Sequence, residues 1–194
     1  MKRRLASLDL RSLLTARFFS NFLPLPARSI WRLGHPLPDF VLPDVRNRTT
    51  ARLSDYRGRR TVVLAFTRIF SEKHYCPLCY PHIVALNEAY PQFVAHRAEV
   101  LLVTSTDTRQ SARIVQDLDL QMPLLSNPSC DTFRTYQLGQ ALGAPLPAQF
   151  VIDNQGRLQF KHLFSFLDAN ASVEQLLAIA TAQTPPLGTA VAAP

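Results

Sequence analysis

The chain has 194 residues, 47% of them hydrophobic, enough for one ordinary core with extensions at its ends. Three cysteines are too few for a disulfide scaffold, and their odd number leaves at least one thiol outside any internal pair. The net charge of +7 is concentrated at one end, where Lys2, Arg3, Arg4, Arg11, Arg17, Arg28 and Arg32 face only Asp9. A nucleic-acid-binding domain would spread its basic residues over the folded body and show a recognisable motif; neither is present, so nucleic acid is not an expected partner.

No apolar run approaches the roughly 18 residues that span a bilayer, and the N-terminus lacks the short apolar segment and small-residue cleavage site of a secreted chain. Residues 1–33 read as a basic leader. Leu10, Leu14, Phe18 and Phe22 recur at i+4 steps with Leu13 and Phe19 beside them, and three readings stay open: an organellar transit peptide, an amphipathic segment docking on an acidic assembly or membrane surface, or a disordered leader. Pro24, Pro26, Pro36, Pro38 and Pro43 then block helix continuation, and the folded domain is expected over residues 34–182.

Within it, residues 39–42 and 50–53 predict a hairpin, and Arg46, Arg48, Arg52, Arg57, Arg59 and Arg60 around it read as a solvated face. The β-branched and aromatic run 61–66 predicts a buried central strand. Ile83, Leu86, Tyr90 and Phe93 place a helix over 77–95, bent at Pro81. A strand over 99–104, a helix over 108–118, a short strand at 122–125 and a short helix over 131–138 follow. Residues 149–152 and 157–162 form a hairpin around Asp153-Asn154-Gln155-Gly156, and a last helix spans 173–180. The Pro- and Ala-rich tail, 183–194, is expected to be disordered. This order predicts an α/β protein with a mixed sheet flanked by helices.

Cys76-Pro77-Leu78-Cys79 stands between the 61–66 strand and a helix. A catalytic dithiol needs one thiolate at neutral pH, and unpaired N–H groups at a helix N-terminus lower a thiol pKa from about 8.5 toward 7 or below. Cys76 is placed to be the nucleophile and Cys79, one turn on, to resolve a mixed disulfide. Zinc held by the two cysteines with His74 and His82 is an alternative, though a structural site normally has a second ligand pair downstream. Inert buried cysteines are another. His74 and Glu72 are candidate proton acceptors, and Arg68 is a candidate cation beside the thiolate. Cys130 reads as a free thiol.

Residues 34–180 resemble the thioredoxin fold, and more closely its peroxiredoxin and redoxin (alkyl hydroperoxide reductase/thiol-specific antioxidant) branch. The likeness rests on Gly34-His35-Pro36-Leu37-Pro38-Asp39-Phe40-Val41-Leu42-Pro43-Asp44 and Leu53-Ser54-Asp55-Tyr56-Arg57-Gly58, which are similar to that branch's front hairpin. The resemblance implies a thioredoxin-like sheet with an N-terminal β-hairpin extension. It also implies that Pro147, ahead of residues 148–152, occupies the place of the superfamily's cis-proline beside the dithiol. The sequence departs from the pattern where peroxiredoxins carry a Pro and a Thr or Ser before the reactive cysteine, since Ile69 and Lys73 stand there. By the same resemblance, Pro147 takes the place of a peroxide-assisting arginine. Ala65 replaces the buried proton-accepting Asp of thioredoxin, and Tyr75 its Trp.

The expectation is a thiol–disulfide oxidoreductase acting through Cys76, Cys79, Pro147, His74 and Arg68, without cofactor or metal, with a protein disulfide or thiol as partner and peroxide as a second candidate substrate. The competing expectation is a redoxin-fold scaffold docked through residues 1–33. A cytoplasmic, stromal or matrix-like compartment suits the cysteine content, with peripheral attachment to a membrane or large complex open.

Overall fold

The computed structural model describes residues 16–183, so the start of the leader, with Leu10, Leu13 and Leu14, and nearly all of the expected tail lie outside the described residues. In chain order the elements are α1 (Ala16–Ser20), β1 (Val41–Asp44), β2 (Thr49–Arg52), a 3-10 turn (Leu53–Tyr56), β3 (Thr61–Thr67), β4 (Ile69–Ser71), β5 (His74–Tyr75), α2 (Tyr80–Ala95), β6 (Ala98–Thr104), α3 (Thr108–Asp117), β7 (Leu124–Ser126), α4 (Asp131–Thr135), β8 (Gln140–Ala141), β9 (Ala144–Pro145), β10 (Ala148–Ile152), β11 (Leu158–Leu163) and α5 (Val173–Ala182). Seven strands form one mixed sheet in the order β11-β10-β3-β6-β7-β1-β2. β3, β6 and β7 run parallel, while β10 and the front hairpin join them antiparallel.

β3 and β6 are buried along their whole length, as expected of apolar runs covered on both faces. Alternation divides their side chains. Val62, Leu64 and Phe66 join Phe133, Tyr136 and Phe150 on one face, with the Phe66 and Phe133 ring centroids 4.9 Å apart. Val63 and Ala65 lie on the other with Ile83, Leu86 and Phe93 of α2, Ile114 of α3 and Leu176 and Ala180 of α5. Both outer helices on that face start on side-chain caps: Asp107 accepts from the Gln110 N–H at 2.8 Å and Ser172 from the Gln175 N–H at 3.1 Å.

α2 corrects the expected helix in two respects. It begins at Tyr80 rather than Pro77, and Pro81 falls in its first turn, where a missing N–H costs nothing and imposes no bend. The interior proline is Pro91. The stretch between β3 and Cys76 folds into the β4–β5 hairpin.

Residues 16–33, expected to belong to the leader, lie against the body. Leu25 and Gln140 exchange two backbone hydrogen bonds of 2.8 Å, and Gly143 donates to the Asn21 carbonyl at 3.0 Å. Arg17 donates to the carbonyls of Ser105 and Phe70. The approach is so close that a Cβ at Gly139 would strike the Leu25–Ala27 backbone and one at Gly143 the Phe18 ring; both glycines also have positive φ. No helix among the described residues is long and apolar enough to cross a membrane.

Candidate active site

The central strand β3 ends at Thr67, and Arg68 follows it directly. The β4–β5 hairpin then carries the chain out and back, so that the Cys76 N–H returns to the Arg68 carbonyl at 3.4 Å. The hairpin's short connection is fastened by a 2.8 Å hydrogen bond between Ser71 Oγ and His74 Nδ1. Next comes a single tight turn: the Cys76 carbonyl accepts from the N–H groups of Cys79 at 3.0 Å and Tyr80 at 2.9 Å. Cys79 caps α2. Cys76 therefore sits one turn before the helix, among N–H groups that have no helical acceptor of their own.

Both thiols are free and buried, Cys76 at 5% and Cys79 at 1% exposure, and their environments drive them apart. The Cys79 thiol donates to Cys76, the N–H groups of Leu78 and Cys79 converge on the same sulfur, and Arg68 adds a positive charge. Together these outweigh burial and bring Cys76 down to about 6. Cys79, hydrogen-bonded to that thiolate and desolvated beside it, is pushed far above its ordinary value.

Arg68 is held by several contacts. Its guanidinium donates to the carbonyls of Ala141 and, at 3.3 Å, Leu142, and stacks 4.7 Å above the Phe70 ring. Its charge also lies close enough to the Cys76 sulfur to favour the thiolate. His74, by contrast, is tied to Ser71 and lines an open cavity of about 400 Å³ with Phe18, Phe70, Lys73, Tyr75 and Leu142. Glu72 is engaged by Arg113 at 2.9 Å.

Pro147 is buried immediately before Ala148, whose strand partner is Phe66, and so lies at the end of the sheet that carries Arg68. The expected cis bond is not there: no cis peptide occurs among the described residues, and Leu146–Pro147 is trans. The chain passes from β9 to β10 with the Leu146 N–H on the Gly139 carbonyl at 3.2 Å, and the trans form is the ordinary one for such an X-Pro bond.

Cys130 packs with the aromatic cluster on the α4 face, across the sheet from α2. Its sulfur lies 3.9 Å from Asn21 Nδ2 and 3.7 Å from the Pro128 carbonyl, and burial raises its pKa. Among the described residues no three His, Cys, Asp or Glu side chains gather closely enough to hold a metal ion.

Two site residues escaped the sequence reading. Gln149, fully buried opposite Ala65, and Asn170, ahead of α5, link to the Leu78 carbonyl of the dithiol turn. The one available signal was a glutamine interrupting an otherwise apolar buried strand; nothing local marked Asn170.

The comparisons with known proteins agree with this fold. In solved structures the fold is matched by the peroxidoxin BcpB of Mycobacterium tuberculosis, with a TM-score of 0.66 and 23% identity over 78% of this chain and 97% of that one. A putative thiol:disulfide interchange protein DsbE of Chlorobium tepidum matches with a TM-score of 0.61 and 23% identity over 78% and 99%. A 2-cysteine peroxiredoxin, chloroplastic, of Chattonella marina var. antiqua is 30% identical over 138 residues, 66% of this chain and 68% of that protein. The AhpC/TSA family model matches residues 33–161, and the chain accordingly belongs to the AhpC/TSA family of peroxiredoxin-like thiol oxidoreductases.

Proposed function

We propose that the protein is a dithiol–disulfide oxidoreductase whose nucleophile is Cys76. The observation that carries this reading is the opposed shift of the two thiols, one brought to about 6 and its neighbour raised. The Cys76 thiolate attacks one sulfur of a partner disulfide, forming a mixed disulfide and expelling the partner's other sulfur as thiolate. The negative charge at Cys76 is then spent, and the raised pKa of Cys79, caused by that charge and by burial, relaxes. Cys79 loses its proton and attacks Cys76 Sγ, closing an internal disulfide and releasing the partner as a dithiol. Two electrons have passed to the partner, and an external dithiol restores the protein. The turn between the cysteines brings their Cα atoms within the roughly 7 Å that a bridge requires. Leu78, exposed between the two cysteines, borders the approach.

Peroxide reduction is a second activity of the same thiolate, supported by the family and by the Chattonella relative. There the thiolate would take one peroxide oxygen, the O–O bond would break with release of water or alcohol, and Cys79 would condense with the sulfenic acid, losing water. The exchange reading is favoured because Lys73, exposed, stands at the position of the Thr or Ser and offers no hydroxyl to a peroxide. A protein disulfide is the proposed partner, in a thiol-reducing compartment such as cytoplasm or an organellar stroma, which suits three free cysteines.

Insulin-disulfide and hydroperoxide reduction, measured with an external reductant for the wild type and Cys76→Ser, test the assignment. The serine variant is expected to lose both; equal activity in the two proteins removes Cys76 from the mechanism.

A further inference from the structure

We propose that Asn170, locked by Gln149, is a positioning residue that holds the Leu78–Cys79 peptide so that its N–H, that of Cys79, stays directed at Cys76. The proposal rests on Cys76 being the nucleophile. Its basis is a chain of three hydrogen bonds with a backbone group at each end. The Ala171 N–H donates to Gln149 Oε1 at 2.9 Å, Gln149 Nε2 donates to Asn170 Oδ1 at 2.9 Å, and Asn170 Nδ2 donates to the Leu78 carbonyl at 2.9 Å.

The sense of this chain is dictated by its ends. A backbone N–H can only donate, so Gln149 must present its oxygen to Ala171 and its amide nitrogen to Asn170. Asn170 must then present its oxygen to Gln149 and its nitrogen to Leu78, where a carbonyl can only accept. Neither amide can flip without placing two donors or two acceptors face to face. Gln149 is entirely buried, where such a mismatch is costly.

The Leu78–Cys79 peptide plane would otherwise depend on one tight turn. Pro77 and Leu78 are exposed, Leu78 at 50%, and the turn is closed only by the bonds to the Cys76 carbonyl. Asn170, through Gln149 of β10, anchors the carbonyl edge of that peptide, while its other edge, the Cys79 N–H, donates to the Cys76 carbonyl at 3.0 Å and faces the Cys76 sulfur. A hydrogen bond accepted by a residue's carbonyl also restrains rotation of that residue's backbone, and linked bonds polarise one another in the same direction. The position that thioredoxins give to an acidic side chain is here Ala65. Beside it stands Gln149, a neutral amide with both ends engaged, which orients rather than exchanging a proton.

The test uses the full-length reduced protein and the ultraviolet absorbance of the Cys76 thiolate as a function of pH. Wild type is expected to titrate near 6, and Cys76→Ser to lack the transition. Asn170→Leu, neutral and similar in size but without a donor, is expected to raise the midpoint by about half to one unit, an acid constant about three- to tenfold smaller. Gln149→Met, which frees Asn170 without removing it, is expected to shift the midpoint the same way by less. Asn170→Ser keeps a donor and is expected to fall between wild type and Asn170→Leu. A wild-type midpoint near that of an ordinary thiol would overturn the nucleophile assignment itself. A wild-type midpoint near 6 that Asn170→Leu leaves in place, even with a lowered melting temperature, would overturn the clamp alone.

Discussion

The largest contribution to the Cys76 thiolate comes from its partner thiol, and removing that one donor gives a sharp test. In Cys79→Ala the S–H is gone, whereas the Leu78 N–H and the Arg68 charge remain. A hydrogen bond to a charged group is worth about 1.5–3 kcal/mol, which at 1.36 kcal/mol per unit corresponds to about one to two pKa units. The Cys76 midpoint should therefore rise from about 6 to roughly 7–8 by that conversion. At pH 7 the thiolate share would fall from about nine-tenths to between about one-half and one-tenth. Iodoacetamide alkylation at that pH should fall less than the population does, because a more basic thiolate is intrinsically a better nucleophile. Cys79→Ser keeps a hydroxyl donor and should stay near the wild-type midpoint. Both variants are best made on Cys130→Ser, so that a single thiol titrates. An alanine midpoint equal to that of the wild type, or a serine midpoint displaced as far as that of alanine, would refute the reasoning.

Two other substitutions test neighbouring parts. Arg68→Met should raise the Cys76 midpoint and also lower stability by about 1–3 kcal/mol, because the Ala141 and Leu142 carbonyls lose their donor; thermal denaturation and the thiolate titration read the two effects separately. Asp131 is held below the ordinary carboxylate range by the Asn127 side chain and by the Ser129 hydroxyl and the Thr132 N–H. Its stabilising effect is thus fully present above a pH of about 4 and lost as pH falls through the depressed folded value. Denaturation midpoints of Asp131→Asn and wild type should differ at neutral pH and converge on acidification.

The parts of the fold that could be read from the sequence are those whose pattern is local. Residues 62–66 and 100–103 are apolar throughout because they are covered on both faces, and that composition marks a central strand wherever it occurs. β4 and β5 have three and two residues, too few for a period to show. Their pairing follows from a tight return at Glu72 and Lys73 that no strong turn residue announces. Pro81 and Pro91 look alike in sequence, and only the true start of α2 at Tyr80 decides which is harmless. The dithiol and Arg68 were legible because they surround one strand end. Asn170 was not, since it meets Leu78 across 92 positions of chain, and Gln149 reaches it only when β10 lies beside β3.

Gly139 and Gly143 form a seat for residues 18–27, and the described part of the N-terminal passage thereby becomes an edge of the domain. Asn21, Leu25, Pro26 and Arg28 wall a cavity of about 210 Å³ with Cys130 at its base. Cutting the chain at residue 33 would therefore do more than remove basic charge. It would strip the cover from a third thiol, take Arg17 from the Phe70 and Ser105 carbonyls, and unburden the hairpin that presents Arg68 to Cys76. A shortened protein would be a different redox molecule, and a change in its behaviour would not identify the N-terminus as a docking handle. Cutting ahead of residue 16 leaves that seat filled.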